Sequence, residues 1–92
     1  MTVIVVSYDI ADDRRRRRIF KLMKDYGSRV QYSVFECLLD DSQFRELRQQ
    51  VTSLIHPKED SVRYYPLCAE CREKRLISGY GKMVEEESVY MV

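Results

Sequence analysis

The stretch that decides the fold is VIVVSYDIADDRRRRRIF, residues 3–20. The apolar, mostly β-branched run over residues 2–8 is more typical of a central strand covered on both faces than of an exposed edge strand. Asp9 follows where this strand leaves the sheet, and two further aspartates precede five consecutive arginines. A carboxylate at the end of a buried strand beside dense positive charge indicates a site that handles phosphate or a metal ion.

The arginines begin a predicted helix, which Asp12 or Asp13 can cap. We expect Gly27 to stop this helix. The apolar positions between these ends repeat at helical spacing, as a helix packed on a sheet requires. They are Ile19, Phe20, Met23 and Tyr26.

The five arginines cannot share one role, because successive helical residues point about 100° apart. Arg16 lies three and four residues before Ile19 and Phe20, so it extends the buried stripe towards the exit of the first strand. The helix dipole disfavours an arginine near a helix N-terminus, which indicates a carboxylate or a phosphate close to Arg16. A solvated helix surface is the alternative for the run, and we expect it for Arg14, Arg17, Lys21 and Lys24.

The remaining elements follow from apolar periodicity. Residues 28–39 are predicted to form a second strand whose two faces are both partly apolar. A second helix is predicted to begin near residues 40–42 and to end before Pro57, with an apolar stripe of Phe44, Leu47, Val51, Leu54 and Ile55. Further strands are expected at residues 60–67, 75–78 and 88–92.

We assign residues 1–92 to a single α+β domain, a ferredoxin-like β-α-β-β-α-β sandwich with an additional C-terminal strand. A strand left over after a four-stranded sheet is complete can add to the sheet edge of another chain. We therefore expect a homodimer in which residues 82–92 form a tail that contacts the partner.

Composition excludes several classes of protein. Ninety-two residues can fill one hydrophobic core but not two. Lys and Arg number 16 against 15 Asp and Glu, so the net charge of +1 is by itself no argument for nucleic-acid binding. No apolar run approaches the roughly 20 residues of a membrane span, and the first residues lack a secretory signal pattern. We therefore expect a cytoplasmic protein with no membrane partner.

Three cysteines without an export signal indicate reduced thiols rather than a disulfide framework. Cys68 and Cys71 have C-x-x-C spacing, which supplies two of the four ligands of a structural zinc site. A zinc site completed by a second chain is thus an alternative to inert thiols at these positions.

Asp9 is the strongest candidate for chemistry. Mg²⁺ prefers octahedral oxygen coordination and binds weakly to one carboxylate, so a single chain would be a poor metal site. An interface near a two-fold axis would bring Asp9 from each chain together to hold one cation beside a phosphodiester. The alternative is that Asp9 caps the following loop or pairs with a nearby arginine.

Other polar residues are weaker candidates. Gln31 and Ser33 are expected to share a strand face with Phe35, where they could hydrogen-bond a phosphate, a metal-coordinated water or each other. His56, the single histidine, lies beside Pro57 at the predicted helix end. A capping or solvent role is therefore favoured over catalysis for His56.

The order of motifs resembles a known family. YDI is followed by DD and an Arg-rich helix, then by G-x-R-x-Q-x-S-V-F-E-C and by D-S-V-R-Y-Y-P-L-C. This series resembles the small CRISPR-associated spacer-acquisition nucleases, the Cas-two family, across nearly the full length. The resemblance implies a ferredoxin-like homodimer, Mg²⁺- or Mn²⁺-dependent endonuclease activity on single-stranded RNA or double-stranded DNA, and partnership with the larger CRISPR integrase.

The resemblance also implies roles for individual residues. Asp9 matches the metal-binding aspartate of the family, one from each subunit. Positions where family members have residues that affect activity or site architecture are Tyr8, Arg16, Arg18, Arg29 and Phe35.

Two classes of function are consistent with these features. The first is a metal-dependent endonuclease, in which Asp9 holds the ion and arginines neutralise phosphate charge. The second is a non-catalytic dimeric scaffold that bridges integrase subunits and contacts the DNA backbone. A third reading, an RNA-recognition module, lacks the aromatic and glycine signature of RNA-binding strands.

Overall fold

A computed structural model of the protein describes residues 1–67. The elements in chain order are β1 (Thr2–Asp9), α1 (Asp13–Lys24), β2 (Gly27–Gln31), β3 (Val34–Leu39), α2 (Asp41–Leu54) and β4 (Ser61–Leu67). This is the predicted β-α-β-β-α-β order of a ferredoxin-like fold. The strands predicted at 75–78 and 88–92, the tail over 82–92 and the pair Cys68 and Cys71 lie outside the described residues.

The four strands form one antiparallel sheet in the order β2-β3-β1-β4. β1 pairs with β3 on one side and with β4 on the other, so its prediction as a central strand is confirmed. Neither α1, of 12 residues, nor α2, of 14, is long and apolar enough to cross a bilayer.

The single strand predicted over residues 28–39 is wrong, because the structure has a hairpin there. Tyr32 and Ser33 connect β2 to β3, and Gln31 pairs with Val34 across the connection. A register irregularity between Arg29 and Gln31 places Arg29 opposite Phe35. The sequence predicted that Gln31 would share a strand face with Phe35. This prediction is wrong, because Gln31 lies opposite Val34 and therefore on the other face.

One face of the sheet carries the core. Alternate residues of β1 and β3, namely Ile4, Val6, Tyr8, Phe35, Cys37 and Leu39, are buried against both helices. The helices contribute Ile19, Met23, Leu47 and Val51, which all belong to the predicted apolar stripes. Burial of each such side chain stabilises the fold by roughly 1.5–3 kcal/mol. Because these side chains come from the sheet and from both helices, the three elements share one core.

The buried thiol of Cys37 belongs to this core. Burial, with a smaller effect of Glu36, raises the pKa of Cys37 to about 12, so this thiol is an inert core group.

Both helices begin at an aspartate cap. Asp12 accepts a hydrogen bond from the backbone N–H of Arg15 at 2.9 Å, so Asp12 rather than Asp13 caps α1. Asp40 and Gln43 form a reciprocal capping box at the start of α2, with distances of 2.7 and 2.9 Å. The first turn of α1, which follows the exit of β1, thus has a fixed starting point.

Gly27 has a different role from the predicted helix stop. α1 ends at Lys24, with Asp25 as its C-cap, and Gly27 is the first residue of β2, opposite Cys37. A Cβ atom at Gly27 would lie 2.7 Å from Cys37 Sγ and would collide with the backbone carbonyl of Glu36. Glycine is required here by the close approach of β2 to β3.

Gly27→Ala is expected to lower the free energy of unfolding by about 1–3 kcal/mol, because the added methyl group meets backbone atoms that cannot move aside cheaply. Urea unfolding followed by circular dichroism measures this change. Ser28→Ala, at the next position of β2, is the control and is expected to shift the unfolding free energy by less than about 0.5 kcal/mol. Equal stability of the two variants would contradict the packing role of Gly27.

Candidate active site at the exit of the first strand

The end of β1 is held from both sides. The backbone N–H of Tyr8 donates a 3.0 Å hydrogen bond to the carbonyl of Ser33, which ties the hairpin tip to β1. On the other side, Asp9 pairs with Ser61 of β4. The exit of the strand is therefore a rigid position rather than a loose loop.

A cleft of about 480 Å³ opens beside this exit. We call it the strand-exit cleft. Four of the six site residues predicted from the sequence line it: Tyr8, Asp9, Arg16 and Arg29. The other lining residues are Ile10, Arg17, Phe20, Tyr32 and Ser33. Carboxylate, aromatic and cationic side chains therefore line the cleft close together, an arrangement that suits a polyanionic ligand.

Asp9 is exposed, and no hydrogen bond or ion pair engages its carboxylate within residues 1–67. The alternative roles, capping the loop or pairing with an arginine, therefore find no contact in the described part of the chain. Asp9 also borders a smaller cavity of about 170 Å³ with Ser7, Arg63 and Tyr65, on the sheet face that the helices leave uncovered. Asp9 thus has access both to the cleft and to this smaller cavity.

Phe35 supports the cleft from the core, beneath the ring of Tyr8. It is completely buried and does not line the cleft, but it stacks on Tyr8 with ring centres 6.3 Å apart. Phe20 meets Phe35 edge-on at 5.8 Å, and the Arg29 guanidinium lies 5.3 Å from the centre of the Phe20 ring. The aromatic layer therefore fixes both the floor of the cleft and one of its cations.

The phenol of Tyr8 remains protonated in this setting. Burial raises the pKa of Tyr8 above its ordinary value, although the nearby positive charges of Arg29 and Arg16 act in the opposite direction. A neutral phenol can donate a hydrogen bond to a phosphate oxygen.

The two arginines selected from the run differ in position. Arg16 donates through Nη2 to the carbonyl of Ile10 at 3.1 Å and pairs with the Asp13 carboxylate, one of the two anions that its position had suggested. Arg18 is exposed and is not among the residues that line the cleft. Arg17, predicted only to lie on a solvated face, is exposed and also lines the cleft.

Sequence reasoning missed an ion pair between Arg15 and a buried carboxylate next to the site. The Asp60 carboxylate, with its side chain fully buried, accepts hydrogen bonds from Arg15 Nε at 2.7 Å and Nη2 at 3.2 Å. It also accepts the backbone N–H groups of Ala11 at 2.9 Å and His56 at 2.8 Å. We call this arrangement the Asp60 cluster. It joins the loop after β1, the first turn of α1, the end of α2 and the start of β4.

The charges in the Asp60 cluster stabilise each other. The hydrogen bonds from Arg15 hold the pKa of Asp60 well below its ordinary value, supported by the N–H groups of His56 and Ala11, although burial acts the other way. Asp60 in turn raises the pKa of Arg15. The pair therefore stays ionised at neutral pH and holds the exit of β1 in place.

His56 has a structural role, as its position had suggested. Its carbonyl accepts hydrogen bonds from the N–H groups of Glu59 and Asp60, and its Nδ1 accepts from the N–H of Lys58 at 3.2 Å. It therefore organises the turn between α2 and β4, and it is not among the residues lining the cleft.

A single chain offers few metal ligands. Within residues 1–67, no group of three His, Cys, Asp or Glu side chains gathers where a metal ion could sit. The oxygen atoms of Asp9 suit Mg²⁺ or Mn²⁺ in kind, but one carboxylate is too few. A metal site at this position needs ligands beyond those of one chain's described residues.

The arrangement has relatives among known proteins. Residues 1–75 match the family described as CRISPR associated protein Cas2. The chain belongs to this family. The CRISPR-associated endoribonuclease Cas2 3 of Chloroflexus aurantiacus is 44% identical over 88 residues, which cover 96% of this chain and 95% of that protein. That relative is named as an endoribonuclease, which is the class of activity that the resemblance implied.

Solved structures confirm the fold. The crystal structure of a hypothetical protein TT1823 from Thermus thermophilus matches with a TM-score of 0.81 at 38% identity, covering 91% of this chain and 98% of that chain. A chain in a partial Cas6-RT-Cas1–Cas2 complex matches with a TM-score of 0.72 at 26% identity, covering 82% of this chain and 88% of that chain. The ferredoxin-like fold is thus shared with Cas2 proteins.

Asp60→Asn is expected to flatten the dependence of stability on acid pH. The unfolded chain binds the Asp60 proton near pH 3.9, whereas the folded chain binds it only at lower pH. The stability from this carboxylate is therefore present above about pH 4 and is lost as the pH falls towards the depressed native pKa. Urea unfolding at a series of pH values from about 5 to 2 measures the slope, which should be steeper for the wild type.

Glu59→Gln is the matched control for this prediction. Glu59 contacts the same arginine at 3.1 Å, but its side chain is 57% exposed, so its loss should leave most of the slope in place. An unchanged slope in Asp60→Asn would mean that Asp60 is not the group whose protonation weakens the fold in acid.

Proposed function

We propose that the protein is a divalent-metal-dependent endonuclease that hydrolyses phosphodiester bonds of RNA or DNA in CRISPR spacer acquisition. The observation that carries this proposal is the Asp9 carboxylate, which is exposed and unengaged within residues 1–67 at the rim of a cleft lined by three arginines. An exposed carboxylate that no arginine of the described residues engages is accessible to a metal ion bound beside a phosphate.

The chain's own residues divide the work of binding. Arg16 and Arg29 hold phosphate oxygens in the cleft, and the protonated Tyr8 donates a hydrogen bond to the same group. Phe35 keeps Tyr8 in position by stacking beneath it. Arg18, outside the cleft, adds only to the positive surface of α1.

The active form is a homodimer. Both helices pack on one face of the sheet, and Asp9 lies on the other face with Arg63 and the 46% exposed Tyr65. Pairing of two copies through this face would bring the two Asp9 carboxylates near the symmetry axis, where together they would hold Mg²⁺ or Mn²⁺. Such an ion supplies charge neutralisation at the phosphodiester and activation of water.

Asp9→Asn is expected to lower the cleavage rate at least about a hundredfold, because the amide keeps the shape of the side chain but loses the charge that holds the ion. Cleavage of a labelled single-stranded RNA and of a duplex DNA with Mg²⁺ measures the rate. Circular dichroism and sedimentation should show an unchanged fold and dimer.

Asp25→Asn is the control, since Asp25 is an exposed carboxylate that does not line the cleft. It should cut at the wild-type rate. Cleavage by Asp9→Asn at that same rate would refute the endonuclease proposal and would assign the activity to a contaminant.

The likeness to a chain of the partial Cas6-RT-Cas1–Cas2 complex favours a second candidate function, that of a scaffold. In this role a dimer would bridge two Cas1 integrase subunits and contact DNA through its arginines without cutting it. Integration assays with Cas1 separate the two functions: the scaffold role predicts full integration with Asp9→Asn and reduced integration with Arg16→Ala. Loss of integration in both variants would count against the scaffold.

A further inference from the structure

The tip of the β2–β3 hairpin carries an unusual side chain. A two-residue connection between paired strands favours Gly, Asn or Asp, whose backbones adapt to the turn. Here the two positions are Tyr32 and Ser33, and Tyr32 is 87% exposed. A tyrosine gains stability mainly by burying its ring, so an exposed one at this position does not serve folding. The ring is therefore accessible to a ligand that could cover it.

The tip presents this ring from a fixed backbone. The carbonyl of Ser33 accepts the hydrogen bond from the N–H of Tyr8, and Tyr8 itself stacks on the buried Phe35. Tyr32 is therefore attached to the same rigid floor as the strand-exit cleft, which it lines. Because the backbone that carries the ring is fixed, only the side-chain torsions of Tyr32 lose freedom when a ligand stacks on it.

Tyr32 is also the available aromatic surface of the cleft. The Phe20 ring is already engaged by Phe35 at 5.8 Å, by Arg29 at 5.3 Å and by Lys24 at 5.2 Å. Within residues 1–67, Tyr32 has no aromatic or cationic partner. An exposed ring beside several arginines offers one flat apolar surface and adjacent positive charge, which together match a nucleobase and its phosphate.

The size of the cleft limits what it can take. Its volume of about 480 Å³ is in the range of sites that bind one small organic molecule. Bases inside a duplex are stacked on both faces, so they cannot stack on a protein ring unless they leave the helix. The interior of a duplex could contact the arginines through its backbone, but its stacked bases could not reach Tyr32.

We propose that the strand-exit cleft binds one unpaired nucleotide, with its base stacked on Tyr32 and its phosphate held by the cleft arginines beside Asp9. The inference rests on the proposed nucleic-acid function and narrows its substrate to strands that present an unpaired base next to the cut. Paired DNA would then be a substrate only at a frayed end, a gap or a flipped base.

Binding to a strand with and without bases tests this inference. Two fluorescein-labelled probes of equal length are compared by anisotropy in EDTA: an oligouridylate, and the same sugar-phosphate backbone with abasic positions at its centre. The wild type should bind the oligouridylate about tenfold more tightly, the contribution of one stacked base. Tyr32→Phe should keep this ratio, whereas Tyr32→Leu should reduce it to about one, because leucine is apolar but offers no ring.

Several outcomes would overturn the inference. Equal affinity of the wild type for both probes would do so, and so would an unchanged preference for bases in Tyr32→Leu. A changed sedimentation coefficient of Tyr32→Leu without nucleic acid would instead make Tyr32 a contact between protein chains. The side chain is 87% exposed, so all three proteins should share one melting temperature.

The inference and the proposed function fail separately. Cleavage that depends on Asp9, together with equal binding of the two probes, leaves the endonuclease and removes the base site. Binding that depends on the base and on Tyr32, together with cleavage that is unchanged in Asp9→Asn, would keep the base site and remove the endonuclease.

Discussion

The rest of the structure depends on the Asp60 cluster. One buried carboxylate receives hydrogen bonds from a guanidinium and from two backbone N–H groups, and these donors belong to segments far apart in sequence. Asp60 immediately precedes Ser61, which pairs with Asp9, and Ala11 follows Asp9 by two residues. The position of the exposed Asp9 carboxylate is therefore set by a second carboxylate, that of Asp60, whose charge is balanced by the guanidinium of Arg15. Burial of this charge is tolerated because four hydrogen bonds to the carboxylate replace the water that it loses.

Much of the fold could be predicted because apolar spacing is a local property. The central strand and the stripes of both helices follow from periods of two and 3.6 residues. The hairpin was missed because Tyr32 and Ser33 are not the Gly, Asn or Asp that two-residue hairpin turns favour, so no strong turn signal interrupts the strand pattern between Gly27 and Leu39. Gly27 was misread for a related reason: a helix stop and a close strand contact both favour glycine, and only the register with Cys37 distinguishes them.

The site was predictable in part. Asp9 follows from the exit of the strand and Arg16 from its place on the helix stripe, whereas Tyr8 was indicated by the family resemblance. Within a run of five identical residues, however, the pattern could not show that Arg15 is the partner of a buried aspartate 45 positions away, since that contact exists only after α1 and β4 have packed. Arg17 and Arg18 were likewise not distinguishable until the hairpin tip defined the edge of the cleft. The aromatic character of that edge depends on the turn that the sequence did not reveal.

Tyr8 and Asp9 are adjacent in the chain, yet the pleat of β1 directs them to opposite sides of the sheet. Both side chains nevertheless line the strand-exit cleft, because the cleft lies where the strand leaves the sheet. A ligand at this end can therefore meet groups from both faces, and backbone geometry decides which group it meets on each. Insertion of one residue into β1 would exchange the two positions, turning a charge into the apolar interior and a ring into water, so the length of this strand is as constrained as its composition.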